Sequence, residues 1–116
     1  MPQDLQLNYW ALAGEWTIRQ DAAFLDEGAG TIAYRFRARD VNLVLSATRG
    51  ATPFRVLVDG EPPGSSHGAD CDQEGRGVVS ERRLYQLIRR PGAIDERLFE
   101  IAFAAPGVGA YAFTFG

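Results

Sequence analysis

The sequence predicts an all-β fold, a jelly-roll sandwich of about eight antiparallel strands. Three observations carry that prediction. Apolar residues recur with a period of two through most of the chain, Gly- and Pro-bearing turn signals separate the apolar runs, and no stretch sustains the 3.6-residue period of a long helix. Short strands with turns at such intervals are the mark of a sandwich or jelly roll.

Taken in order, the first apolar run spans Glu15 to Arg19. In Thr31 to Arg37, Ile32, Tyr34 and Phe36 fall on one face, and Thr31, Arg35 and Arg37 on the other, which makes a half-buried strand. Further strands are expected at Val41 to Ala47, Phe54 to Asp59, Arg82 to Arg89, Phe99 to Phe103 and Ala110 to Phe115, the last with Tyr111, Phe113 and Phe115 on one face. Hairpin turns are expected at Gly28-Ala29-Gly30, Arg39-Asp40, Arg49-Gly50, Arg90-Pro91-Gly92 and Pro106-Gly107-Val108-Gly109. A turn or two of helix fits Asn8 to Leu12 and Ile94 to Leu98. Residues 60 to 77 form the one long irregular stretch, and loops of that length tend to be functional. Neither a repeat nor a linker divides the 116 residues, so 1–116 reads as a single domain with room for a real core.

Composition excludes several chemistries. All twelve basic residues are Arg, so a phosphate-loop lysine, a Schiff-base lysine and a Ser/Lys dyad are absent. The net charge is -3 and no segment is basic enough to compete for a phosphate backbone, which sets nucleic acid aside. No apolar run has the ~18 residues of a membrane span. Met1-Pro2-Gln3-Asp4 lacks the charge and apolar pattern of a secretory signal, so the chain is expected to be either cytoplasmic or a piece of a longer protein. Cys71 is the single cysteine, and its neighbours Asp70 and Asp72 are expected to raise its pKa and suppress the thiolate.

Candidate chemistry concentrates in the long loop and on one strand face. Gly64-Ser65-Ser66-His67-Gly68 satisfies the nucleophile-elbow pattern, but Pro62-Pro63 stand where a strand is needed and no helix follows. His67, the only histidine, sits inside the supposed elbow and cannot act as its base. Asp70, Asp72 and Glu74, with Gly75, match the opening half of a calcium loop, against the plainer reading of an acidic turn. Arg35, Arg37, Arg55 and Glu100 share the polar parity of their strands. They make either a paired ladder on a solvated face or, with Tyr85 and the loop residue His67, a concave face that holds a polyhydroxylated or anionic ligand. Tyr9 and Trp10, placed before the first strand, are either a sugar-stacking platform or a lid over the open end of the sandwich. Carboxylate pairs for glycoside hydrolysis can be drawn from Asp59, Glu61, Glu81 and Glu100, but no spacing singles one out.

Several stretches together carry a family resemblance: Leu7-Asn8-Tyr9-Trp10-Ala11-Leu12 with Gly14 and Trp16-Thr17, Ile32 to Phe36 with Ala38 to Val41, Phe54 to Gly60, Arg83 to Arg89, and the closing Pro106 to Gly116. They resemble the C-terminal module that follows a thioredoxin-like domain in DipZ-type thiol:disulfide transporters and related bacterial redoxins, proteins of cytochrome c biogenesis and thiol–disulfide exchange. The resemblance covers nearly the whole chain, and the end at Gly116 looks like a natural C-terminus. Cys71 stands where the family pattern leads one to expect an aliphatic residue.

The resemblance implies a jelly roll similar to galactose-binding and carbohydrate-binding modules, held in the periplasm or otherwise outside the cytoplasm as part of a membrane-anchored parent. It implies a non-catalytic accessory domain whose redox cysteines belong to the thioredoxin-like domain of the parent chain. The expected ligand is a glycan or a partner surface, and no cofactor is implied. The alternative is a structural module that packs on the thioredoxin-like domain or on a second copy of itself as a homo-oligomer.

Overall fold

A computed structural model describes residues 7, 9–90 and 94–115. Eight strands account for nearly all regular structure: β1 (Trp10–Ile18), β2 (Ala23–Arg37), β3 (Asp40–Ala47), β4 (Thr52–Val58), β5 (Arg76–Val79), β6 (Arg83–Arg89), β7 (Glu96–Phe103) and β8 (Val108–Phe115). The one helical element among the described residues is a 3₁₀ turn at Gly64–Ser66. All pairings are antiparallel, in the order β5-β4-β7-β2-β8-β3-β6, with β1 added to β2. The all-β jelly roll expected from the alternating apolar pattern is therefore present, as one sheet curled into two layers.

The alternation dictates the core. Ile32 and Phe36 of β2, Phe54 and Val56 of β4, Phe99, Ile101 and Phe103 of β7, and Val41, Leu43 and Leu45 of β3 all point inward and are buried. Each such side chain contributes about 1.5–3 kcal/mol when withdrawn from water.

Most turns expected to close hairpins do something else. The Arg39-Asp40 turn joins β2 to β3, Arg49-Gly50 joins β3 to β4, and Pro106-Gly107 joins β7 to β8, yet none of these strand pairs is adjacent in the sheet. They carry the chain from one layer to the other, as a jelly roll requires. The connection from β6 to β7 does the same, although Pro91 and Gly92 lie outside the described residues.

Gly28-Ala29-Gly30 is not a turn at all. It lies inside β2, opposite a break in the β1 register between Ala13 and Trp16. A Cβ on Gly30 would stand 2.5 Å from Leu25 Cδ1, and one on Gly14 would stand 2.9 Å from the Ala29 carbonyl oxygen. The expected helical turns also give way to strand. Trp10 to Leu12 open β1 and Glu96 to Leu98 open β7, while Asn8 lies outside the described residues.

The aromatic parity of β8 is broken by a bulge. Val44 faces Ala112 while Leu45 faces Ala110, so Tyr111 is the extra residue. Phe113 and Phe115 pack on Tyr34, with ring centroids 4.8 and 5.1 Å away, although Phe115 at the strand end stays 40% exposed. Tyr111 leaves their face, meeting Phe24 edge-on at 6.0 Å, with its hydroxyl 3.1 Å from Ser46 Oγ.

The long irregular stretch has a structural job, since it lies along β6 and takes up that strand's outer hydrogen-bonding groups. The amides of Gly68 and Asp70 donate to the carbonyls of Leu87 and Gln86 at 2.8 and 3.0 Å. The Gln86 amide donates to Asp70 Oδ2 at 2.7 Å, and Arg83 Nη2 donates to Asp70 Oδ1 at 2.7 Å. A Cβ on Gly68 would come within 2.3 Å of the Gln86 carbonyl oxygen, so only glycine permits the approach. An open strand edge invites mispairing, and the loop closes this one.

Cys71, within that loop, is buried against β6, where its thiol donates to the Leu87 carbonyl at 3.1 Å. Burial, with smaller contributions from Asp72 and Asp70, pushes the thiol up to about 11. Burial thus outweighs the acidic neighbours that the sequence singles out. A folded value above that of the unfolded chain means stability that is complete below ~8.5 and declines as the pH rises toward the folded value. Cys71 is accordingly expected to stay unreacted with an aromatic disulfide reagent at pH 8 in the native protein and to react fully in denaturant. Fast native labelling would contradict this burial.

The Arg83 hydrogen bond, followed by that from the Gln86 amide, holds the Asp70 carboxyl below the usual carboxylate range. Stability from this pairing is present above the unfolded value of ~3.9 and is lost as the pH falls through the folded value. Arg83 is well exposed, so screening by water keeps the contribution to ~1 kcal/mol or less. Urea unfolding should therefore find Asp70→Asn less stable than the wild type by about that amount at pH 7, with the gap closing as the pH drops below ~4. A gap that widened in acid would contradict the assignment.

Candidate functional site

The open side of the sandwich lies between β1 and β8. Along its whole length β1 is bonded only to β2, and β8 touches β2 only through Gly109 and Ala110 before the two diverge. Between them is a cleft of about 460 Å³ with Ile32 and Leu43 on its floor. The register puts Trp10 opposite Tyr34 and Leu12 opposite Ile32, so Trp10 and Tyr34 share one wall. Tyr111 and Phe113 belong to β8, and Arg19, Gln20 and Asp21, from the turn between β1 and β2, bring polar groups to the site.

The walls differ in how firmly they are held. Tyr111 is fixed by Ser46 and by the Arg82 guanidinium, which stands 4.0 Å above its ring. Tyr34 and Phe113 are stacked into the core. Trp10 is the exception, for it opens β1 and remains 53% exposed, and Tyr9 before it is 60% exposed. This exposure leaves an aromatic face of both residues open to solvent. The other tryptophan is committed to packing, with Trp16 Nε1 donating to the Ala13 carbonyl at 2.9 Å and its ring edge-on to Phe103. An aromatic face beside fixed hydrogen-bonding groups is equipped for binding a flat, amphipathic ligand.

The arginines singled out in the sequence do share the outward face, but they do not form one cluster. Arg35 pairs with Leu98 of β7 and Arg55 with Ala102 of the same strand. Four residues separate these positions, about 13 Å at ~3.3 Å per residue. Arg35 instead reaches Glu96 at 4.0 Å, the residue directly opposite Arg37. Glu100 stands between Ala33 and Leu57, so the expected ladder does not form.

Arg55 has another neighbour, which sequence parity did not reveal. It sits directly opposite Arg76 on β5, over a shallow depression of about 640 Å³. Residue 76 lay within the stretch read as loop, so the signal that finds it is the pairing of β5 with β4.

Tyr85 is a core residue and no ligand can stack on it. Its ring is wholly buried, its hydroxyl donates to the Glu81 carbonyl at 2.7 Å, and it accepts from the Ser80 amide at 3.1 Å. Inward parity on β6 explains the burial. His67 is half-buried at the end of the 3₁₀ turn, where Nδ1 donates to the Gly68 carbonyl at 2.8 Å and the backbone bridges Ile88. Extended chain, not helix, follows Ser66, so the nucleophile elbow is not built.

The acidic candidates are turned toward protein groups. Asp70 serves Arg83 and Gln86, while Asp72 Oδ1 accepts from the amides of Glu74 and Arg76, both at 2.9 Å. Among the described residues no three acidic, His or Cys groups gather as a cation site. Asp59, one of the hydrolase candidates, accepts from Arg97 and from the Leu98 amide.

Comparison with solved structures gives the same architecture. A family two carbohydrate esterase from Clostridium thermocellum in complex with cellohexaose superposes with a TM-score of 0.66 at 14% identity, over 93% of this chain and 31% of that one. An active-site mutant of a family two carbohydrate esterase from the same organism gives 0.67 at 14% identity, over 94% and 31%. A family two carbohydrate esterase from Cellvibrio japonicus gives 0.60 at 10% identity, over 94% and 33%. The chain thus spans about a third of each of these proteins, and at such identities the likeness is one of fold. No curated protein sequence matches it. The family described as the thioredoxin like C-terminal domain matches residues 1–116, the whole length. The chain belongs to that family.

Proposed function

We infer that this domain is the non-catalytic accessory module of an extracytoplasmic thioredoxin-like thiol:disulfide protein, and that it binds a glycan chain in the cleft between β1 and β8. The observation that carries the reading is Trp10, an aromatic face left open on the wall of a cleft whose other rings are fixed. A pyranose ring presents an apolar CH face to such a surface and a rim of hydroxyls to groups such as Arg19, Gln20 and Asp21. Membership of the thioredoxin-like C-terminal family supports the accessory role, and the shared fold with esterases, one of them solved with cellohexaose, agrees with the ligand class.

A second reading rests on the same edge. Tyr9, Trp10 and Ile18 are all exposed, and large apolar groups along an open strand edge suit packing against the thioredoxin-like domain or a second copy of this chain. Sedimentation of the full-length protein with and without this domain separates the two, since only packing changes assembly state or domain spacing.

Trp10 is also the reporter. Titration with cellohexaose and with cell-wall oligosaccharides is expected to shift tryptophan emission through Trp10, with Trp16 contributing a constant background. Trp10→Ala should weaken binding about tenfold, the equivalent of ~1.4 kcal/mol. Unaltered affinity in that variant, or no response to any of these saccharides, would remove the cleft as a glycan site.

A further inference from the structure

We propose that the outer face of β5, β4 and β7 is a second binding site, separate from the cleft, for the carboxylate of an acidic polysaccharide of the uronic-acid class, read by Arg55 and Arg76. The motivating feature is a pair of like charges set opposite each other across two strands, neither of which joins an ion pair among the described residues. Arg55 and Arg76 are direct cross-strand partners, which brings their Cβ atoms to about 5 Å, and like charges so placed are destabilising. They are the only two arginines facing each other across neighbouring strands among the described residues.

Other arginines meet a carboxylate: Arg35 with Glu96 at 4.0 Å, Arg39 with Asp40 at 3.0 Å, Arg83 with Asp70 at 2.7 Å, Arg90 with Asp95 at 2.6 Å and Arg97 with Asp59 at 3.0 Å. Neither Arg55 nor Arg76 joins any of the ion pairs among the described residues. Arg55 Nε donates to the Glu74 carbonyl at 3.2 Å, which orients its guanidinium and leaves the two Nη groups free of that bond. Two such forks side by side match one carboxylate, which accepts from both.

The surroundings choose the kind of molecule that carries the carboxylate. Between and beside the arginines the depression is lined by Ala102, Gly77, Pro53 and Val78, the last 52% exposed, a smooth apolar floor of small side chains. The CH face of a sugar ring lies on such a floor without displacing anything. An acidic peptide would gain most by adding a strand to the edge of β5, but that edge is taken at Arg76, whose carbonyl accepts from the Asp72 amide at 3.0 Å and whose own amide donates to Asp72 Oδ1 at 2.9 Å. The site shares no residue with the cleft, so neither proposal depends on the other.

The test is a heteronuclear NMR titration of the domain with trigalacturonate, a neutral trisaccharide of the same length and a glutamate-rich peptide. Trigalacturonate is expected to shift resonances of β4, β5 and β7, to lose at least tenfold in affinity in Arg76→Gln and Arg55→Gln, and to bind normally to Arg49→Gln and Trp10→Ala. The affinity should fall as salt is raised, as for any exposed charge pairing. Thermal unfolding supplies a second readout, because removing one of two facing like charges should leave Arg76→Gln at least as stable as the wild type. Equal binding of the neutral sugar, equal binding of the peptide, a loss on Trp10→Ala as large as that on Arg76→Gln, or no binding of trigalacturonate would each overturn the proposal.

Discussion

The whole domain depends on β2 running unbroken through fifteen residues and belonging to both layers. Its last eight residues pair with β7, its first two pair with β8, and β1 follows it on the other edge. Where β2 passes from one layer to the other, beside the register break in β1, the close approach of the two backbones requires positions without side chains. Gly14 and Gly30 supply these positions, since a Cβ on either would collide with the facing backbone or with Leu25. This passage sends β7 and β8 into opposite layers, and the cleft is the space left on the open side once they have parted. The cleft proposed as a binding surface is therefore a by-product of the crossing that builds the sandwich.

A curled sheet that does not close into a barrel leaves edges, and this domain treats its edges unequally. The β6 edge is covered by the long loop through Gly68 and Asp70, and the β5 edge is blocked at Arg76 by Asp72. The outer edge of β1 has no such cover among the described residues. Protection at β5 and β6 leaves β1 as the open edge among the described residues, which agrees with the site proposed beside it.

Strand identity was legible because burial here follows parity, and Ile32 with Phe36, or Phe99 with Ile101 and Phe103, announce their faces by spacing alone. Connectivity was not. A Gly or Pro turn looks the same whether it returns the chain beside the strand just left or carries it to the other layer, and Arg49-Gly50 does the second. Bulges defeat parity in the same way. Tyr111 seemed to share a face with Phe113 because nothing local marks the extra residue, which becomes visible only in the β3 register. Tyr85, placed with the arginines on a ligand face, is instead buried in the core by the inward parity of β6, where its hydroxyl ties the Ser80 and Glu81 corner.

The site residues show where sequence reasoning reaches its limit. An acidic loop with Ser, His and Cys carries the richest chemistry in the chain, yet its polar atoms are spent on backbone partners and on covering β6. Groups already satisfied by the fold have little left for a ligand. Trp10 and the Arg55–Arg76 pair show the reverse: an aromatic face left open and two like charges left facing across neighbouring strands. Side chains that the fold leaves open are the better guide to a site, and both stand on strands, so a ligand at the proposed sites would meet a surface already in place.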